Sequence, residues 1–297
     1  MGFIKALEEF THAKVLYDEP MRKHTGYGVG GCARYYVEVD SLYALNSVIS
    51  LAKRYRIKYK VIGNGTNLLV SDLGYDGVII DLKRLSDVFF KRQEIRAMAG
   101  AKVDKLLKFA VEHRLSGLEA LVGIPASIGG AIVMNAGAFG HNISDYVTSV
   151  ETLHNGKINF YKKEDCRFGY RSSRFLGKKE VVVSATFALK ESDRDKILSS
   201  VKSFTELRKS IQPTGRSCGS VFKNPKPLTA GAVIDKAGLK GLTVGGASVS
   251  LKHGNFILTS TKAKAKDVYL LIEQIKQKVK DAFGIQLEEE VERIGEF

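Results

Sequence analysis

Apolar residues recur along the chain with two periods, and the switches between them outline its elements. Runs rich in Val, Ile and aromatic residues predict strands at 33–39 (ARYYVEV), 59–62 (YKVI), 78–82, 147–153, 157–161, 181–189, 247–251 and 255–260. Helical spacing puts Leu42, Leu45, Val48, Ile49 and Ala52 on one face over 41–55. The same spacing aligns Val103, Leu106, Leu107, Ala110 and Val111 over 103–113. Further helices are expected in the first segment, from 195 to about 209, and at 230–237. A strong amphipathic helix covers 267–283, with Val268, Leu271, Ile272, Ile275, Val279 and Phe283 inward and Gly284 as its stop. A loop is expected around Glu19 and Pro20, and a last strand over 285–294. Strands and helices mingle without strict βαβ alternation, which favours α+β over a doubly wound sheet. A charged stretch, KESDRDK, marks a domain boundary near 192–195.

The 297 residues give room for two domains or three small lobes. A hydrophobic share of 44% and a charged share of 26% exclude a disordered chain, and five prolines exclude long Pro-rich linkers. Charge adds more: 46 Lys and Arg against 32 Asp and Glu leave +14, which favours anionic partners. The alternative is a Lys-rich solubilising surface. No block of like charges, zinc finger or RNA-binding motif is present, so nucleic acid is the lesser reading. Cys32, Cys166 and Cys218 lie far apart without a C-x-x-C, which suits free thiols in a reducing cytoplasm. Neither a signal peptide nor a membrane span is expected, for want of a long apolar run. His12, His24, His113, His141, His154 and His253 lack metal-ligand spacing, and no metal site is expected.

Six stretches carry candidate chemistry. Gly63, Asn64, Gly65, Thr66, Asn67 and Leu68 form a Gly-rich turn directly after a buried strand. Backbone amides in such a turn can cradle a pyrophosphate, although Leu68 breaks a full dinucleotide fingerprint. The alternative is a plain turn. Residues 123–130 (GIPASIGG) and 135–140 (NAGAFG) are dense in small residues, which suits either a flat ligand or tight helix packing. Ser127 and Asn135 are their polar members. Residues 215–219 (GRSCG) formally match a nucleophile elbow, but no strand precedes the serine and no helix follows. Ser220, Lys223 and Asn224 could hold an anion, as could Arg171 and Arg174 beside Tyr170 and Phe175. On a strand, Glu288, Glu290 and Glu292 would share one face.

Together and in order, these stretches resemble the UDP-N-acetylenolpyruvoylglucosamine reductase family of peptidoglycan synthesis. The matching blocks are TGYGVGGCA (25–33), GNGTNLLVSD (63–72), GLEALVGIPASIGGAIVMNAGAFG (117–140), YRSSRF (170–175) and CGSVFKNP (218–225), followed by 230–247 and 287–295. The resemblance implies an FAD-binding domain of the vanillyl-alcohol-oxidase type built from two α+β lobes, at 1–82 and 83–194. A substrate domain at 195–297 follows. It implies non-covalent FAD on the Gly63–Leu68 turn and on Gly123, Ile124, Pro125, Ser127, Gly130, Asn135, Ala136 and Gly137. NADPH is then the hydride donor, and UDP-N-acetylglucosamine enolpyruvate is the substrate in the same cleft. Ser220 matches the family's proton donor, Arg171 its arginine at the substrate carboxylate, and Glu290 its glutamate. Glu290 would act as a proton-bearing or water-linked partner, since a bare carboxylate repels developing negative charge. Tyr170, Asn224 and Lys209 match substrate or nicotinamide phosphate contacts, with Lys223 as a helper of Ser220. Neither a membrane nor a nucleic acid is implied as a partner. The interval from Arg171 to Ser220 leaves no room for the tyrosine-bearing loop of the family's longer form, so the residue capping the substrate diphosphate stays open. The other readings are a sugar or alcohol oxidase of the same fold, and a basic DNA-binding protein.

Overall fold

A computed structural model gives the fold and describes residues 2–11, 13–91 and 94–297, so the expectation for His12 lies outside the described residues. The chain forms two units from interleaved segments. Unit 1 comprises Met1–Leu16, Tyr35–Asn64 and Gly77–Arg208; unit 2 comprises Tyr17–Arg34, Gly65–Asp76 and Lys209–Phe297. The sequence-ordered division at 82 and 194 differs from this. The physical reason lies in unit 2, where Leu68–Val70 pairs in parallel with Glu292–Ile294 and draws a short early segment to a late one.

A four-stranded sheet, most of whose residues belong to unit 1, runs in the order Lys14–Pro20, Cys32–Glu38, Tyr75–Asp81, Tyr59–Ile62. Helices α1 (Phe3–Thr11) and α2 (Leu42–Arg54) supply its cover, burying Phe3, Leu7, Leu45 and Val48 with Val37, Val78 and Ile80. The extended Ser41 starts α2, its hydroxyl accepting from the Ala44 N–H at 3.1 Å. The loop expected around Glu19 and Pro20 is the end of strand Lys14–Pro20. That strand lies at the sheet's edge, where proline's missing N–H is tolerated.

A second sheet of unit 1 is antiparallel, in the order Lys157–Lys162, Val147–His154, Val181–Ala188, Glu94–Met98, Val88–Lys91. Val88–Lys91 escapes the sequence pattern because Phe89 and Phe90 are both exposed, and Glu94–Met98 because Ala97 and Met98 are both buried, so each breaks the alternation. Helices α3 (Val103–Glu112) and α4 (Ile128–Met134) bury Leu106, Leu107, Ile128 and Ile132 with Val150 and Phe187. Only Ile197 is fully buried on α5 (Arg194–Ile211).

Unit 2 is built on α6 (Ala230–Lys236), α7 (Ala265–Phe283) and an antiparallel sheet of Thr243–Val244, Ala247–Val249 and Ile257–Thr259. The inward stripe of α7 is Val268, Leu271, Ile272, Ile275 and Val279. Phe283, expected inward, is exposed: it ends the helix where Gly284 turns the chain at a φ of 67°. Asp72 caps α7, its two carboxylate oxygens accepting the Ala265 and Lys266 N–H groups at 2.9 Å each. The strand expected over 285–294 is confined to Glu292–Ile294. The residues before it pair elsewhere, with Phe222 bridging Glu289, and the segment changes partner near Val291. No helix among the described residues is long and apolar enough to cross a membrane.

Candidate functional site

Unit 1 assembles the first glycine turn with the small-residue segment. Gly63 follows strand Tyr59–Ile62, and a Cβ there would collide with the Ser127 hydroxyl. The Asn64 side-chain amide donates to the Pro125 carbonyl at 2.6 Å. Buried Ser127 starts α4, its hydroxyl accepting from the Gly130 N–H at 3.3 Å. The Val122–Gly123 peptide is held at both ends. Its carbonyl accepts from Arg208 Nε at 2.8 Å, and its N–H donates to Asp104 Oδ1 at 3.0 Å. The Ile124 N–H closes the turn on the Leu121 carbonyl at 3.1 Å. Arg208 also stacks on Phe139, its Cζ 5.0 Å from the ring. Burial lowers its pKa from the ordinary arginine value, with Asp104 opposing.

Asn135 closes α4 at a φ of 46° and is buried. Its side-chain amide donates to the Gly169 carbonyl at 2.9 Å, and its side-chain oxygen accepts the Ser144 N–H at 3.3 Å. Both polar ends are therefore engaged by protein, as is its N–H, which donates to the Ile132 carbonyl at 3.3 Å. The Ala136 N–H is likewise bonded to the Ala131 carbonyl at 2.8 Å. Gly169 and Ser172 exchange backbone bonds of 3.0 and 3.3 Å, forming a tight turn with Tyr170 and Arg171 in its middle. Arg171 takes a φ of 49°, a strained value for a non-glycine residue. Its Nη2 donates to the Gly137 carbonyl at 3.2 Å, which draws the guanidinium to the small-residue segment. Tyr170 is 49% exposed.

Unit 2 holds the rest. Gly65 has a φ of 65°, and a Cβ there would strike the His24 carbonyl. Among the described residues, the N–H groups of Gly65, Thr66 and Asn67 donate to no protein acceptor. Three consecutive amides without internal partners make a ready anion cradle. The Asn67 side chain donates to the Glu290 carbonyl at 2.9 Å, and the Glu292 N–H donates to the Asn67 carbonyl at 2.9 Å. Leu68 then pairs with Glu292.

Residues 220–223 form a central ribbon. On one side Ser220 bridges Phe256 and the Val221 N–H donates to the Asn255 carbonyl at 2.9 Å. On the other, Val221 accepts the Glu290 N–H and Lys223 donates to the Glu288 carbonyl, both at 2.8 Å. The backbones carrying Ser220 and Glu290 are thus adjoining. Asn255, absent from the sequence expectations, locks the ribbon: its side chain accepts the Phe222 N–H at 2.9 Å and donates to the Phe222 carbonyl at 2.8 Å. Lys223 Nζ pairs with Glu288 Oε1 at 2.5 Å, so the ammonium expected to assist Ser220 has a carboxylate partner. The side-chain oxygen of Asn224 accepts the Ala230 N–H at 3.0 Å. Lys209 is exposed, and its neighbour Arg208 is the cation built into the glycine segment. Cys218, two residues before Ser220, is buried, and burial pushes its thiol up to about 12.

Three consecutive unpartnered amides in a glycine turn fit an anionic group such as the pyrophosphate of a dinucleotide. Comparison with known proteins agrees. A family model described as FAD binding domain matches residues 33–158, and one described as UDP-N-acetylenolpyruvoylglucosamine reductase, C-terminal domain, matches 212–294. The reductase of that name from Listeria innocua is 39% identical over 290 residues, covering 97% of each chain. That from Carboxydothermus hydrogenoformans is 41% identical over 302 residues, covering 100% of each. The crystal structure of UDP-N-acetylenolpyruvylglucosamine reductase from Thermus caldophilus superposes with a TM-score of 0.82 at 36% identity, over 96% of this chain and 100% of that one. A Phl p 4 variant described as a glucose oxidase, 14% identical with a TM-score of 0.52 over 65% of this chain and 45% of that one, shares the fold alone.

Fold and turn together define an FAD-dependent oxidoreductase of α+β architecture. The chain belongs to the UDP-N-acetylenolpyruvoylglucosamine reductase family.

Proposed function

We propose that the protein reduces UDP-N-acetylglucosamine enolpyruvate to UDP-N-acetylmuramate, using NADPH. The carrying observation is the backbone tie in unit 2. The Gly65–Leu68 turn, Glu290 and Ser220 lie on directly bonded segments, through Asn67 to Glu290 and through Glu290 to Val221. The amides of Gly65, Thr66 and Asn67 hold the FAD pyrophosphate, with Gly63, Asn64 and the backbone of Gly123–Ser127 and Asn135–Gly137 along the rest of the cofactor. FAD, when bound, supplies the hydride to the substrate's terminal methylene carbon.

The electrons that arrive there flow onto the substrate carboxylate. Arg171 stabilises that charge, because a guanidinium matches a carboxylate with two parallel donors. Its strained turn and its bond to Gly137 hold the donor in one place before substrate enters, which lowers the reorganisation the reaction requires. Ser220 delivers the proton to the adjacent carbon. A hydroxyl is a weak acid, so a partner must stabilise its anion or return a proton to it. Glu290, proton-bearing or through water, serves the carboxylate end of the substrate. Lys223 reaches Ser220 only by leaving Glu288, so Tyr170, Asn224 and Lys209 are the steadier substrate contacts. The nucleotide substrates make the cytoplasm the compartment of the reaction.

Ser220→Ala tests this reading directly. NADPH should still bleach the flavin at a near wild-type rate, while reduction of the enolpyruvyl sugar falls by about 10²–10⁴-fold. Equal loss of both half-reactions would overturn the role of Ser220. A purified protein without flavin absorbance that also fails to take up FAD would overturn the whole reading.

A further inference from the structure

One groove in unit 2 is rimmed by cations and lacks acids in its lining. It has a volume of about 470 Å³ and is lined by Arg22, Lys23 and Arg216 together with Thr25, Gly28 and Thr261. That volume lies within the range of small-ligand sites, about 300–1,000 Å³.

Arg216 is fixed there twice over. Its carbonyl accepts the Thr259 N–H at 3.1 Å, which anchors its backbone to the strand Ile257–Thr259. Its side chain lies along Gly28, where a Cβ would sit 3.0 Å from Arg216 Cδ and 3.3 Å from Nε. Gly28 also has a φ of 64°, so side chains are disfavoured there on both counts. Gly26 makes a similar close approach, since a Cβ on it would lie 2.6 Å from the Ser217 carbonyl. The two glycines let the residue 216–217 backbone and the Arg216 side chain press against the 25–28 segment.

The charge is not neutralised locally. Among the described residues, no carboxylate pairs with Arg22 or Arg216. Lys23 shares Glu19 with His24, at 3.2 and 3.0 Å. Three clustered cations sharing one acid repel each other unless an anion joins them. Two guanidiniums favour an oxyanion with several acceptor oxygens, which describes a phosphate better than a carboxylate.

Location narrows the ligand. Arg216 bridges Thr259 and Ser220 bridges Phe256, so the two stand on one ribbon, at most about 13 Å apart along extended chain. The groove also adjoins the glycine turn, because the Gly26 N–H donates to the Gly65 carbonyl at 2.9 Å. We propose that this groove is a diphosphate subsite, with Arg216 and Arg22 as its ligating residues, serving a nucleotide diphosphate. The source is the UDP moiety of the sugar substrate, since the pyrophosphate of FAD has its own cradle in the Gly65, Thr66 and Asn67 amides. Only this choice of source rests on the reductase reading.

The test uses the holoenzyme and inorganic pyrophosphate, titrated by calorimetry at low ionic strength. Wild-type protein should bind pyrophosphate, Arg216→Gln should weaken it by at least about tenfold, and Arg216→Lys should fall between. Arg22→Gln should weaken it further in combination. Lys179→Gln, an equal charge change on exposed residue of unit 1, should leave it unchanged. No binding by wild type, or equal weakening by Lys179→Gln, would overturn the subsite. A raised KM for the UDP-sugar in Arg216→Gln with an unchanged Kd for FAD supports the substrate as the source, and a raised Kd for FAD with an unchanged KM would overturn it. Neither moving would also overturn the proposal. Pyrophosphate binding that persists in a protein unable to reduce flavin with NADPH would instead refute the reductase reading and leave the subsite standing.

Discussion

Arg208 and Asp104 grip one peptide group between them, and their removal should be felt at the turn that group begins. Arg208→Met is expected to raise the Kd for FAD by about tenfold, since hydrogen bonds to charged groups are worth about 1.5–3 kcal/mol. Arg208→Lys should recover part of it, and titration of apoprotein followed by flavin fluorescence reads both. Tyr27 poses the opposite case. It is fully buried in unit 2, its hydroxyl has no partner among the described residues, and burial raises its pKa well above the ordinary tyrosine value. An orphaned buried hydroxyl costs about 1–3 kcal/mol. Tyr27→Phe should therefore raise Tm or leave it unchanged, and a fall would mean that the hydroxyl has an unseen partner. The glycine turn was legible in sequence because glycine and asparagine are rare in such density, whereas the bridges that Ser220 and Phe222 make were not. The work of Asn67, Asn135 and Asn255 was not, because each asparagine bonds backbone that only the fold brings near. The role of Arg208 had the same limit: adjacent helical positions differ by about 100° in direction, and no spacing rule says which faces Val122.

The helices were the readable elements. α2, α3 and, apart from Phe283, α7 bury the stripes their spacing announces, because a one-sided apolar face has only one way to leave water. Strands were less readable where they lie at an edge, as at Lys14–Pro20, or change partner, as over residues 288–294. The cap of α7 was invisible for a further reason. Its acid, Asp72, stands in a different segment of unit 2, 193 positions from Ala265. Asp72→Ala should cost about 1–2 kcal/mol through two lost cap bonds and the helix dipole, measured as a lower denaturant midpoint. Asp72→Asn, which keeps one acceptor, should cost less. A wild-type midpoint in Asp72→Ala would show that the helix end is solvated equally well by water.

At the scale of the molecule, the three cysteines divide by burial. Cys32 is exposed, whereas burial pushes Cys166 up to about 11 and Cys218 to about 12. A thiol reagent at mild alkaline pH should modify one thiol quickly and the other two only on unfolding. Acid should weaken unit 1 through Glu180. Burial tends to raise its carboxyl, but bonds from Thr152, Tyr161 and Asn159 outweigh this and hold it below the ordinary carboxylate value. A depressed folded value means stability fully present above the unfolded carboxylate pKa and lost as pH falls through the folded one. Glu180→Gln should thus lower Tm at neutral pH and converge with wild type in acid; parallel curves would refute this.

The interleaving of segments also has a consequence in time. Asn67 and Glu290 are 223 positions apart, and a ribosome adding about 5–20 residues per second needs about 10–45 s to cover that interval. Throughout it, the nascent Leu68–Val70 strand, buried in the finished protein, has no partner to pair with. The turn that precedes it thus reaches its finished geometry only after residue 292 has been made, and until then an unpaired apolar strand is open to the wrong neighbour.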